Sequence, residues 1–410
     1  MKLFFLAFEV PYPLDRGGRI KTFHYLKALA HHHQVTLVAL SRTPQCKENL
    51  EQLRSMLGLE AVYPIVVDLS RARKVRVALQ SLGQSRPFVM GLYYTTEGRD
   101  LVEHLVERQG FDLIYADHLH MAQYVPTQSG ARTLLDHHNV ETMLLERLAR
   151  TQSWNPLYWF TRLEHFKMTR YEPRTLQRFD AVWVTTEVDR ALIAQWCLPH
   201  QRLEVLPIGV DTDYFCPNHG PREPRTLLSI GTLSWPANAD SVLWFYREIY
   251  PLLKQQFPDV RFVIVGANPP LTIRRLVADS SVEVTGWVED VRPYLARSTL
   301  LVVPMRVGSG MRVKILNALA MGLPVLSTSV GCEGIAVTPG RNILVADEAS
   351  TFWQRIADLL EDPLQQQELS KNGVMLVQEQ YSWNAIYCRV QAAVVEMFTQ
   401  SADAERRSAP

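Results

Sequence analysis

The stretch Gly308–Thr328, GSGMRVKILNALAMGLPVLST, decides the reading of this chain. Small residues at Gly308, Ser309 and Gly310 let backbone amides approach a ligand, and a helical pattern from near Met311 aims its positive dipole end at the same place. Arg312 and Lys314 add full charges in the first turn, where cations are unfavourable unless solvated or met by an anion. Gly322 fits the left-handed residue that ends the helix, and Pro324 opens the apolar run LPVLST, a buried strand. The unit reads loop, helix, strand. It suits a phosphorylated ligand; an ordinary glycine turn followed by two solvated cations is the plainer alternative.

Outward from this stretch, strand-like runs alternate with helical patterns. The first half has LFFLAF, Ile20–Ala30, VTLVAL, FDLIYA, TLLDHH and FDAVWVTT; the second has TLLSIGT, a helix from about Asn238 to Gln256, RFVIVGA, SVEVTGW and TLLVVPM. Such alternation predicts parallel sheets with helices on both faces. A chain of 410 residues exceeds one ordinary core, so two Rossmann-like α/β domains facing a central cleft are expected. Their bounds are 1–205 and 226–383, separated by a Pro-rich, charged linker at 206–225. A helix at 384–400 and a frayed tail at 401–410 follow. Ligands in such folds bind at the carboxyl ends of the strands.

Composition narrows the function. Hydrophobic residues make up 47% and charged residues 21%, which suits globular cores, and a net charge of +1 removes the broad basic field of a nucleic-acid binder. Any anion site must be local. Five scattered cysteines without a CxxC pair argue against a disulfide framework or zinc knuckle and favour a reducing, cytoplasmic setting. MKLFFLAFEVPYP lacks a cleavage signal and reads as a first strand, Lys2–Phe8, and no apolar run approaches about 18 residues.

The runs EVLPIGVDTDYFCP, GTLSWPANADSVLWF, VTGWVEDVRPYL and GSGMRVKILNALAMGLPVLSTSVGCEGI together resemble family 4 of the retaining glycosyltransferases, which adopt the GT-B fold. PYPLDRGGRIKTFHYLKALA is similar to the family's glycine loop and first helix, and YSWNAIYCRVQAAVVEMF to its terminal helix, which crosses back to the first domain. The resemblance implies transfer of a sugar from a nucleotide-diphosphate donor to a glycan or glycolipid hydroxyl, with no cofactor and no metal. On the donor side it implies Arg312 and Lys314 as leaving-group stabilisers. With them go the amides of Gly308–Met311, then Gly17, Gly18 and Arg19 across the cleft, Gly231 and Thr232, Arg306, Glu333, and Trp287 and Val288 at the base. A core Trp287 and a plain turn at Gly17–Gly18 stay open as alternatives.

Two departures stand out. The family's paired acids fall here on Ser309 and Asn317, and its Arg and Lys after the second domain's first strand are replaced by GTLSW, Gly231–Trp235. Asn317 can still hydrogen-bond a ribose hydroxyl. On the acceptor side, Asp117, His118 and His120 follow one strand, and Asp136, His138, Asn139 and Glu141 lie in or after another. Asp117 or His118 is the expected acceptor-side group, with Asp136 and His138 in support; each is also readable as a satisfied polar residue. Asp211-Thr212-Asp213 spells a metal-binding DxD but suits a turn cap. The basic segment Ser70–Arg86 is either a solvated helix face or a contact with an anionic membrane. A catalytically silent nucleotide- or glycan-binding subunit and a nucleotide-sugar 2-epimerase remain the competing functions.

Overall fold

The computed structural model describes residues 1–14, 17–42, 46–151, 156–217, 220–308 and 310–408. They form two compact units, Met1–Pro207 with the residues from Tyr387 onward, and Ile208–Ile386.

The first unit runs β1 (Lys2–Ala7), α1 (Gly17–Ala30), β2 (Gln34–Ser41), α2 (Cys46–Leu57), β3 (Ala61–Val66), α3 (Arg71–Leu82), α4 (Phe88–Leu92) and α5 (Thr96–Gln109). It continues through β4 (Leu113–Asp117), β5 (Arg132–His137), α6 (Glu141–Thr151), α7 (Pro156–Leu176), β6 (Ala181–Val184), α8 (Glu187–Ile193) and β7 (Arg202–Val205). The strands pair in the order β3-β2-β1-β4-β5-β6-β7, and each pairing is parallel. Central strands are buried along nearly their whole length, as expected where helices cover both faces. The edge strands β3 and β7 are only partly buried; β3 is apolar throughout but carries Pro64 in its middle, which a central strand avoids, and β7 alternates charged with apolar residues. Strand order reverses between β1 and β4, the kind of switch point at whose carboxyl ends such sheets bind ligands.

The second unit runs β8 (Thr226–Ile230), α9 (Pro236–Trp244), α10 (Tyr250–Gln256), β9 (Arg261–Val265), α11 (Leu271–Arg274), β10 (Val282–Gly286), α12 (Arg292–Arg297) and β11 (Leu300–Val303). Then come α13 (Val313–Ala320), β12 (Val325–Ser327), β13 (Leu344–Val345), α14 (Ala349–Glu361), α15 (Pro363–Leu376) and α16 (Trp383–Ser408), the last of which passes into the first unit. Its parallel sheet has the order β10-β9-β8-β11-β12-β13, so the reversal lies between β8 and β11. The single helix expected over Asn238–Gln256 is divided by a π turn at Phe245–Ile249, because Pro251 cannot donate the amide bond that would continue an α-helix.

The stretch expected as a linker is held to the second unit. Val210 exchanges backbone bonds with Tyr381 and Trp383, a Cβ on Gly209 would stand 2.6 Å from the Trp383 ring, and Arg222 donates to the Ser298 and Gly322 carbonyls. Within the first unit, α16 is tied by Tyr387 to His24 at 2.5 Å and by Arg389 to the Val205 carbonyl at 2.6 Å. The helix continues through Ser408, eight residues into the stretch expected to fray, while 409–410 lie outside the described residues. Among the described residues, no helix is long and apolar enough to cross a membrane.

Candidate functional site

In the second unit the loops after β8 and β11 flank the reversal. A Cβ on Gly266 would stand 1.8 Å from the Gly231 carbonyl oxygen, so only glycine lets these backbones pass this close. Gly308 (φ +152°) and Gly310 (φ +75°) take conformations that L side chains avoid. That geometry delays the helix: α13 begins at Val313 with Arg312 at its N-cap, two residues later than the pattern from Met311 predicted. Ser309 lies outside the described residues.

Lys314 turns its ammonium inward, donating to the Ile230 carbonyl at 2.7 Å and to Asn238 Oδ1 at 3.2 Å, while Asn238 donates to the Thr232 carbonyl at 3.0 Å. Both acceptors are neutral, and among the described residues no carboxylate lies within ion-pair range of Lys314. Burial, followed by the neighbouring Arg312 charge, lowers its pKa to about 8. Arg312 is itself buried; its Nε lies 3.4 Å from Met305 Sδ, and it also contacts the Gly310 and Val330 carbonyls. Neither cation is a solvated surface charge, which removes the plainer reading of this segment.

The remaining residues expected on the donor side are more dispersed. Trp287 follows β10 and is 73% exposed, so it is not a core residue, and Val288 beside it is half-buried. Asn317 is half-buried on α13, one turn beyond Lys314, and Glu333 is half-buried after β12. Arg306 is held by Asp240 in a two-point ion pair. In the first unit Gly17 and Gly18 open α1, a Cβ on Gly18 would meet nothing within 4 Å, and Arg19 pairs with Glu9 at 2.8 Å.

The residues expected on the acceptor side converge more tightly than the sequence indicated. Asp117 ends β4 in register with Asp136 on β5, so two carboxylates stand side by side with almost no solvent. Such a pair requires cations. Lys21 of α1, itself 2% exposed, donates to Asp136 Oδ1 at 2.6 Å, and Tyr115 donates its hydroxyl to Asp136 Oδ2 at 2.6 Å. His138 Nε2 lies 3.1 Å from Asp136 Oδ2 and 2.9 Å from Asp117 Oδ1; only the first contact is aligned as a hydrogen bond. Asp117 Oδ2 accepts from the Phe8 amide at 3.2 Å and the Thr22 hydroxyl at 3.1 Å. His118 holds a left-handed backbone (φ +69°), donates its amide to the Asp136 carbonyl at 2.9 Å, and lays its ring 3.7 Å from that of His138. His120 stacks on Phe8 at 4.4 Å.

Burial raises both carboxyls, but Lys21 and His138 outweigh it at Asp136, and His118 and His138 outweigh it at Asp117, holding each well below the usual range. His138 is pressed down by burial and Lys21 yet held above its ordinary value by Asp136 and Asp117. Burial lowers His118, against the pull of Asp117, and drives His120 to about 3. The site therefore carries a protonation-prone imidazole beside a neutral one. Asp117, His118 and His138 place ligand atoms within 4.8 Å of one another, as a metal would require.

Glu141 stands in a separate cluster. Its amide and that of Thr142 donate to Glu172, which also lies 2.9 Å from His137 Nε2, and burial followed by the Glu172 charge raises the Glu141 carboxyl to about 7. Asn139 is half-buried in the turn between β5 and α6. Lys21, Thr22 and Tyr115 were missed in the sequence. The available signal was spacing: Lys21, Tyr25 and Leu29 share the buried stripe of α1, where a lysine needs a buried partner. Asp211 Oδ1 accepts from the Asp213 and Tyr214 amides at 3.1 and 2.9 Å, the geometry of a turn cap.

Residues 224–362 match the family described as glycosyl transferases group 1. The chain is 20% identical over 402 residues to an uncharacterized 44.6 kDa protein in the cps region of Klebsiella pneumoniae, covering 95% of this chain and 98% of that protein. It is 28% identical over 229 residues to a GDP-mannose-dependent monoacylated alpha-(1-6)-phosphatidylinositol monomannoside mannosyltransferase of Corynebacterium glutamicum, covering 49% of this chain and 60% of that enzyme. The match thus spans well under two thirds of the mannosyltransferase. Among solved structures, sucrose-phosphate synthase of Thermosynechococcus elongatus superposes with a TM-score of 0.67 at 17% identity, over 98% of this chain and all of that one. Anabaena HepE with UDP gives 0.63 at 16%, over 97% of this chain and 100% of that chain. At these identities the structures speak to fold alone. Residues 224–362 thus carry a match to the group 1 glycosyl transferases, and the two parallel sheets, with the superposed structures, give the chain the GT-B fold.

Proposed function

We propose that this chain is a retaining, metal-independent glycosyltransferase of family 4. It moves a sugar from a nucleotide-diphosphate donor to a hydroxyl of a glycan or glycolipid in surface polysaccharide synthesis, at the cytoplasmic face of a membrane. The observation that carries this reading is Lys314, a half-buried ammonium whose acceptors among the described residues are neutral oxygens, beside left-handed glycines where β8 and β11 diverge. An anion is what that charge lacks. Relatives dependent on GDP-mannose, the HepE complex with UDP-glucose and the relative from a cps region support the substrate class and setting.

As the glycosidic bond stretches, negative charge grows on the diphosphate, and one well-placed donor there lowers the barrier by about 3–4 kcal/mol. Lys314, Arg312 and the loop amides supply it. The departing phosphate oxygen then takes the acceptor proton, so the first unit need only orient the hydroxyl. His118, as a neutral imidazole, donates its ring N–H to the hydroxyl oxygen and so leaves the hydroxyl proton for the phosphate, while Asp117, Asp136, Lys21 and His138 fix the ring's place. Peripheral membrane contact runs through 71–86, where α3 exposes Val75, Leu79 and Leu82 among Arg71, Lys74 and Arg76. Turnover of a UDP- and GDP-sugar panel with excess EDTA is the test. Activity restored only by manganese or magnesium would overturn metal independence.

A second reading is a silent binding subunit, favoured by the amide of Asn317 where the family has an acid. Donor binding without turnover, for every sugar and acceptor offered, is its signature.

A further inference from the structure

We propose that a polar recess between α3 and α4 of the first unit is a phosphate-binding site built from Arg73, Arg76 and Arg86. It deepens the acceptor reading above by giving the acceptor, or the membrane that carries it, a phosphate. The recess has a volume of about 280 Å3 and no acidic side chain in its lining. Arg73 donates to the Tyr94 carbonyl at 2.7 Å and the Leu92 carbonyl at 3.4 Å, while its Nε is buried without a hydrogen-bond partner among the described residues. A buried guanidinium N–H left unsatisfied calls for an acceptor. Arg86 lies over the Tyr94 ring at 4.4 Å, so one tyrosine fixes two of the three cations, and Arg76 follows Arg73 by one turn of α3.

Nearby acids are already committed. Glu164 accepts from Ser81 and Lys167, both at 2.6 Å, and from the Phe88 amide; Asp68, which feels Arg73 and Arg76, accepts from the Ser70 amide and hydroxyl. Three cations around a polar recess repel one another until an anion enters, and guanidinium forks match phosphate oxygens in pairs. The exposed Val75, Leu79 and Leu82 stripe on the same helix would bring a lipid headgroup within reach, but a soluble phosphate ester presents the same chemistry.

The experiment compares the full chain with Arg76→Gln/Arg86→Gln and with a control, Arg71→Gln/Lys74→Gln, which removes equal charge from α3 outside the recess. Each is titrated with inorganic phosphate by calorimetry and floated with phosphatidylcholine vesicles with and without phosphatidylglycerol. The recess pair should weaken binding in at least one arm by about tenfold or more beyond the control, as expected for lost charge-assisted hydrogen bonds. Loss confined to vesicles assigns a lipid headgroup, and loss confined to phosphate a soluble ester. Equal loss in both variants, no loss, or a wild type that binds neither probe overturns the site. Thermal shift with nucleoside diphosphates on the same proteins reports the donor loop separately and should be unchanged in the recess pair; its absence in the wild type would fault the proposed donor chemistry and leave this recess untouched.

Discussion

The two charged clusters differ in how their charge is settled. In the first unit, Lys21 and His138 face Asp117 and Asp136 within about 3 Å, and the neutral His118 ring packs beside them. In the second, Lys314 rests on a carbonyl and an amide oxygen. A self-neutralised cluster holds its shape without a ligand and serves to position. A cation left among neutral partners has electrostatic energy in reserve for an anion that arrives later.

The largest effect should come from unsettling the first cluster. Lys21→Met leaves two buried carboxylates short of a cation and should destabilise the protein by about 3–5 kcal/mol in urea unfolding, with much of the loss recovered when Asp136→Asn is added. A Lys21→Met protein as stable as the parent would mean that Asp136 is not charged in the folded state.

Lys314→Ala should behave in the opposite way. The fold survives, and single-turnover transfer at saturating donor slows by about a hundredfold or more, as expected of a donor acting on developing diphosphate charge. Arg312→Ala should slow transfer to a similar degree. Near-normal rates in both folded variants, checked by circular dichroism, would move the leaving-group site elsewhere.

Proton linkage sharpens the contrast further. Lys314 is depressed to about 8 from 10.5, so it weakens the ligand-free protein progressively as pH falls from the unfolded value through 8. A bound diphosphate raises that pKa again. Nucleoside diphosphate binding at pH 8 should therefore take up about half a proton, read by calorimetry in buffers of different ionisation enthalpy, and Lys314→Met should abolish the uptake. The paired first-unit cluster predicts no such exchange from donor binding. Uptake that persists in Lys314→Met would assign the proton to another group.

The smallest effect is expected at Asn317→Leu, which removes one neutral hydrogen bond to the ribose and should weaken nucleotide affinity by about three- to tenfold. Unchanged affinity for nucleoside diphosphate and nucleotide sugar alike would remove Asn317 from the site.

By itself, the sequence determined the alternation of apolar runs with helical stripes, and hence parallel sheets with helices on both faces. It also determined the glycine loop before α13, since left-handed backbone at Gly308 and Gly310 leaves a direct mark in residue type. Edge strands β3 and β7 left a weaker mark, because Pro64 interrupts AVYPIV and RLEV alternates charged with apolar residues. Nor did the partners of the charges. Lys21 and Asp136 are 115 residues apart in the chain, and only the packing of α1 against the sheet brings the ammonium to the carboxylate. Tertiary structure likewise decided that Lys314 faces Ile230 and Asn238, 84 and 76 residues away, with no acid beside it among the described residues. Local pattern fixes where the chain turns and which face is apolar; the state of a buried charge depends on groups that share no local sequence with it, and only the folded packing brings them together.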